Sequence, residues 1–95
     1  MTMREDYERR LQAQLADWKV ELDKLWAQAK GAQAGAAKEY QRQIDRLKAQ
    51  REAMEKDLAK MRKASEASWK DLRAGTEQAW KAMEQAVSAA WTRFR

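Results

Sequence analysis

This chain of 95 residues has no cysteine, no proline, no histidine and only three glycines. Without proline the usual helix breaker is missing, and so little glycine removes most of the other one. Without cysteine there is no disulfide and no thiolate chemistry. Without histidine the commonest metal ligand and the usual general base are gone, and helix-bundle metal sites built on Glu-x-x-His are excluded. Charges interrupt every apolar stretch, so no segment reaches the roughly 20 residues that span a bilayer. Residues 1–10 are charged throughout, which predicts no secretion leader and a cytoplasmic location. Gly31 and Gly35 lack the Lys-Ser/Thr that completes a phosphate-binding loop. Ser65, Ser68 and Lys70 lie close together but read as solvated hinge residues, and Glu52 and Glu55 as surface ion-pairing groups. The expectation is a protein that is not an enzyme, with no catalytic residues, cofactor, metal or small-molecule substrate.

What is present points to helix. Charged residues make up 37% of the chain and hydrophobic ones 44%, a mixture typical of long helices rather than disorder. Nearly half of the hydrophobic share is alanine, so a lone core would be modest. The formal net charge is +5, with both signs interleaved, a faint pointer to an anionic partner. Leu11, Leu15, Trp18, Leu22, Leu25, Ala29, Ala32 and Ala36 alternate spacings of four and three, which is a heptad seam. Tyr40, Ile44 and Leu47 follow after a four-residue stutter. The heptad then resumes through Arg51, Met54, Leu58, Met61, Ser65, Ser68 and Leu72. At Arg51 the aliphatic stem is expected to cover the core while the guanidinium reaches solvent.

From Trp69 onward an eleven-residue repeat takes over, carrying Trp69, Trp80 and Trp91. Each unit places two small or polar residues before the indole and a large apolar group three residues after it: Leu72, Met83 and Phe94. Val87 fills the gap between units. Eleven residues are about three helical turns, so the indoles fall nearly on one line. Thr2 is placed to cap the first turn, with Glu5 three residues on.

Helix signals weaken around residues 31–37 and 64–68, where large apolar groups vanish. Three segments of similar length suggest an up-down-up bundle. Unbroken seam spacing through Ser65 and Ser68 suggests instead a long helix that bends back once or not at all. The favoured reading is all-α: one domain over residues 1–95, with a long helix over about 3–63, a turn over about 64–68 and a return helix over about 68–94. Leu11, Leu15, Trp18, Leu22, Leu25, Leu47, Met54, Leu58 and Met61 would build the seam of the long arm. Trp69, Leu72, Trp80, Met83, Val87, Trp91 and Phe94 would build the returning face. The hairpin is itself an antiparallel coiled coil whose return arm covers only half of the long arm. This predicts burial of the remaining seam against further copies in a helical bundle, as a dimer or tetramer whose pairing direction the sequence leaves open.

Three roles fit the tryptophan line. The first is core packing in a self-associating interaction or scaffold protein. The second is an amphipathic helix on a membrane surface, with Trp91, Phe94, Arg93 and Arg95 at its end. The third is nucleic acid at Arg42, Arg46, Lys48 and Arg51, where Tyr40 is the one neighbouring aromatic and Asp45 and Glu52 dilute the charge.

The phrases Tyr7-Glu8-Arg9-Arg10-Leu11, Trp18-Lys19-Val20-Glu21-Leu22, Lys38-Glu39-Tyr40 and Ser68-Trp69-Lys70-Asp71-Leu72-Arg73-Ala74-Gly75 carry a family likeness. The whole chain resembles small bacterial coiled-coil proteins of the stress-response type. That resemblance implies a helical hairpin or coiled coil without known catalytic residues. The eleven-residue repeat is also physically similar to that of exchangeable apolipoproteins.

Overall fold

The computed structural model describes residues 2–94, apart from the side chains of Ala34 and Phe94. The described residues form three helices of nearly equal length: α1, Met3–Lys30; α2, Ala34–Lys63; and α3, Glu66–Phe94. The molecule is a rod of 49 × 20 × 18 Å. A helix of 30 residues is about 45 Å long, so the rod is one helix long and three helices in cross-section. The chain runs up, down and up. At one end Arg4 of α1 meets the last turn of α2 and the start of α3. Near the other end the Tyr40 hydroxyl of α2 donates to the Arg93 carbonyl of α3 at 3.3 Å. α1 and α3 therefore lie parallel, each antiparallel to α2.

A single helix over 3–63 does not form. The chain reverses at Gly31, Ala32 and Gln33, where the Gly31 N–H donates to the Gln28 carbonyl and the Ala32 N–H to the Ala29 carbonyl. An unbroken helix would leave the seam from Leu11 to Leu25 in water, whereas folding back gives it α2 as a cover. The turn does not demand glycine: Gly31 has φ −85°, and no described residue has positive φ. Gly31 contributes low helix propensity at the point where large side chains run out. The second reversal is also shorter than residues 64–68. Only Ala64 and Ser65 are non-helical, because the Ser65 hydroxyl accepts the Ser68 N–H and caps α3 at once. Thr2 caps α1 in the same way, accepting the Glu5 N–H at 3.2 Å.

Arg4 locks this second turn. Its guanidinium donates to the Met61 carbonyl at 2.6 Å and the Ala64 carbonyl at 2.8 Å, and pairs with Glu66 at 3.2 Å. A cation there satisfies carbonyls that the helix end leaves open and opposes the negative end of the dipole.

One continuous core fills the bundle. Leu11, Leu15, Trp18, Leu22, Leu25 and Ala29 enter it from α1, Ile44, Leu47, Met54, Leu58 and Met61 from α2, and Trp69, Met83, Val87 and Ala90 from α3. The seam expected to need another chain is thus closed by α2 and α3 of its own chain. Among the described residues the only exposed large apolar side chains are Met3 and Val20, at 77% and 52% exposure. The packing that motivated self-association is satisfied within one subunit.

Two stability outcomes follow from this packing. Trp18→Ala and Trp69→Ala should each cost about 3–5 kcal/mol in urea unfolding, and Trp80→Ala less, because its indole is only half-buried. Gly75→Ala should stabilise by roughly 0.5–1 kcal/mol, since Gly75 lies within α3 and an added Cβ meets nothing within 4 Å.

Candidate interaction surface

Tyr7, Trp18, Trp69 and Trp80 form a ladder between the parallel helices. Tyr7 packs edge-on against Trp69 with centroids 5.8 Å apart, and lies 6.0 Å from Trp80. Trp18 packs edge-on against Trp80 at 6.1 Å. Tyr7 and Trp18 are eleven residues apart, as are Trp69 and Trp80, so the two helices stay in step. One step further, α1 supplies the buried Ala29, and the Trp91 indole N–H donates to Glu21 at 2.7 Å. The Trp80 N–H donates to Glu84 at 2.8 Å.

Burial declines along the tryptophan line. Trp69 is 5% exposed, while Trp80 and Trp91 are half-buried. The residues that stay innermost in α3 are seven apart: Trp69, Thr76, Met83 and Ala90. On a straight helix seven residues fall about 20° short of two full turns and eleven overshoot three turns by about 20°. The two lines diverge from Trp69, and the bundle follows the heptad. Thr76, absent from the sequence-based core, therefore occupies an inner position at 1% exposure, its hydroxyl 3.8 Å from the Met61 sulfur. Leu72 is half-buried against the core, and the Phe94 side chain lies outside the described residues.

The basic stretch of α2 is divided by its neighbours. Arg51 does not reach solvent freely: it donates to the Leu15 carbonyl at 2.7 Å and pairs with Glu55 at 2.6 Å. Lys48 lies 5.4 Å from the centre of the half-buried Trp26 ring, and Lys30 lies 5.7 Å from it. Trp26 was not legible as a partner of this stretch, because it is remote in sequence and sits beside the seam rather than on it. Arg42 and Arg46 turn instead toward α3. There they line a groove of about 400 Å³ with Arg93 and Glu39, above Leu47 and three alanines.

Folding also separates charge. α1 carries six basic and six acidic residues, and α3 four of each. α2 carries nine basic against five acidic, so +4 of the chain's +5 resides on that one helix. The α1/α2 groove adds Lys19 of α1 to this side, beside Arg51 and Arg62 of α2 itself. The groove between α1 and α3, opposite α2, is lined by Asp17, Glu21 and Glu84 against Lys24, and encloses about 700 Å³. Among the described residues no group of three or more acidic side chains could hold a metal ion, and no helix is long and apolar enough to cross a membrane.

At the Arg4 end, Trp69 has the Arg4 guanidinium 5.8 Å from its ring centre and that of Arg73 also at 5.8 Å, and Arg73 lies 5.2 Å from the Tyr7 ring centre. The Tyr7 hydroxyl and the Trp69 N–H are buried with no hydrogen-bond partner. Burial holds the Tyr7 phenol above its ordinary 10.0, Glu77 adds to the shift, and Arg73 opposes it. A raised folded-state value favours the neutral phenol. Its contribution to stability is therefore complete below pH 10.0 and is lost as pH rises through the folded value. Tyr7→Phe should leave stability at neutral pH unchanged or raise it by up to about 1–3 kcal/mol, since it deletes an unpaired buried group. The same variant should lose part of the alkaline fall in stability, measured by urea unfolding across pH.

No family model, curated protein or solved structure matches this chain.

Proposed function

We propose that this chain is a non-enzymatic binding module that lays the α2 side of its bundle along a polyanion, with nucleic acid as the partner class. The observation that carries this reading is the concentration of +4 of the net charge on α2, while α1 and α3 are each balanced. A basic side on a rigid rod attracts a phosphate backbone by displacing condensed counterions, and it steers encounter before contact. The inward tryptophans withdraw support from a lipid role for the C-terminal repeat in the folded chain.

Self-association is the second reading, now on electrostatic grounds. The acidic α1/α3 groove, rimmed by the exposed Val20, complements the basic α2 of another copy. Groove and α2 lie on opposite sides of the rod, so such a contact is heterologous and extends unless its rotation closes. The likeness to stress-response coiled-coil proteins is compatible with either reading and supplies only a cellular setting.

Fluorescence anisotropy with a labelled duplex and a labelled single strand, titrated with salt, tests the proposal. About four phosphate contacts predict roughly a hundredfold loss of affinity between about 50 and 200 mM salt. Lys56→Glu with Lys60→Glu should weaken binding to every sequence alike. Absence of binding at low salt, or affinity indifferent to salt, defeats the reading. Sedimentation of the protein alone separates it from self-association, which predicts a mass above the monomer that falls as salt is added.

A further inference from the structure

We infer that the α2/α3 groove is a binding site for a phosphomonoester with a flat, weakly polar body, a mononucleotide being the class that fits. Arg42 and Arg46 stand one turn apart on α2, where Cβ atoms are about 5–6 Å from each other. Arg93 enters the same groove from the last turn of α3. Among the described residues these three side chains enter no salt bridge, and all three line the groove. Planar guanidinium forks match phosphate oxygens two at a time, which ammonium groups do not. Glu39 is the one acid in the lining, against three arginines.

The floor explains why there is room for more than an ion. Ala86, Ala89 and Ala90 face α2 where larger side chains would close the gap, and Leu47 lies beneath them. Ala89 and Ala90 are the small pair of the third eleven-residue unit, so the repeat that places Trp91 toward α1 also opens this groove toward α2. The resulting volume of about 400 Å³ lies in the range of small-molecule sites. Gln43 and Gln50 line the same space and offer amide donors and acceptors to the edge of a ring. One effect opposes an anion here: the C-terminal end of α3 carries negative partial charge. The Tyr40 hydroxyl, donating to the Arg93 carbonyl, offsets part of it at the groove mouth.

This site is distinct from the polyanion reading. It uses three arginines of one groove and its apolar floor, whereas a polymer would use the whole length of α2. Isothermal titration of the full chain with AMP, adenosine and inorganic phosphate tests it. AMP should bind at least about tenfold more tightly than either fragment, because only AMP meets both the arginines and the floor. Arg42→Gln with Arg46→Gln should weaken AMP by about tenfold or more, and Ala89→Leu should weaken AMP while leaving phosphate unchanged. These side chains are exposed, and unchanged thermal unfolding verifies that the variants fold. Lys56→Glu with Lys60→Glu should weaken duplex binding yet leave AMP unaffected, which separates failure of one reading from failure of the other. AMP binding that survives loss of both arginines overturns the inference. So does phosphate binding as tightly as AMP, or absence of AMP binding at millimolar concentration.

Discussion

Each helix carries a single apolar stripe, and no helix can hide its own. Burying a large aliphatic side chain is worth about 1.5–3 kcal/mol, and α1 alone holds four leucines and a tryptophan on that stripe. Three helices of matched length close the stripes on one another only if both connections are short and the chain reverses at each. Gly31-Ala32-Gln33 and Ala64-Ser65 supply those reversals without left-handed backbone. Arg4 then ties the first helix to the junction of the other two, donating to the Met61 and Ala64 carbonyls. The other features of the molecule follow from this closure.

The aromatic ladder is one such consequence. Parallel α1 and α3 share an eleven-residue offset through Tyr7, Trp18, Trp69 and Trp80, so ring meets ring across the interface. The heptad positions of α3 point into the common core, and the tryptophans drift from them toward α1. Large rings thus fill the α1/α3 side while alanines remain on the α2/α3 side. The same repeat sends rings toward α1 and leaves alanines beside Arg42, Arg46 and Arg93, where the α2/α3 groove lies.

Charge separation is the other consequence. Along the chain the signs interleave, and the seven-residue scale shows no like-charge block. In the bundle α2 becomes the basic side, flanked by grooves that add Lys19 of α1 and Arg93 of α3, while Asp17, Glu21 and Glu84 gather opposite. A modest net charge thereby becomes a directional field, which is the physical basis for the anionic partner proposed above.

Composition and periodicity alone determined that the chain is helical, where the α1 and α2 stripes lie, and that Thr2 is placed as a cap. These are local properties: side-chain spacing, propensity and hydrogen bonds between residues three or four apart. Only the tertiary structure decided that the weak stretch at residues 31–33 is a reversal rather than the interior of a long helix, because the gain comes from burying Leu11 to Leu25 against residues far along the chain. It also decided that Arg51 bonds α1 instead of solvent, that Thr76 is innermost and Trp91 peripheral, and that Trp26 meets Lys48. Those outcomes depend on how a seven-residue and an eleven-residue line diverge once three rods are pressed together, and a single helix carries no record of its neighbours.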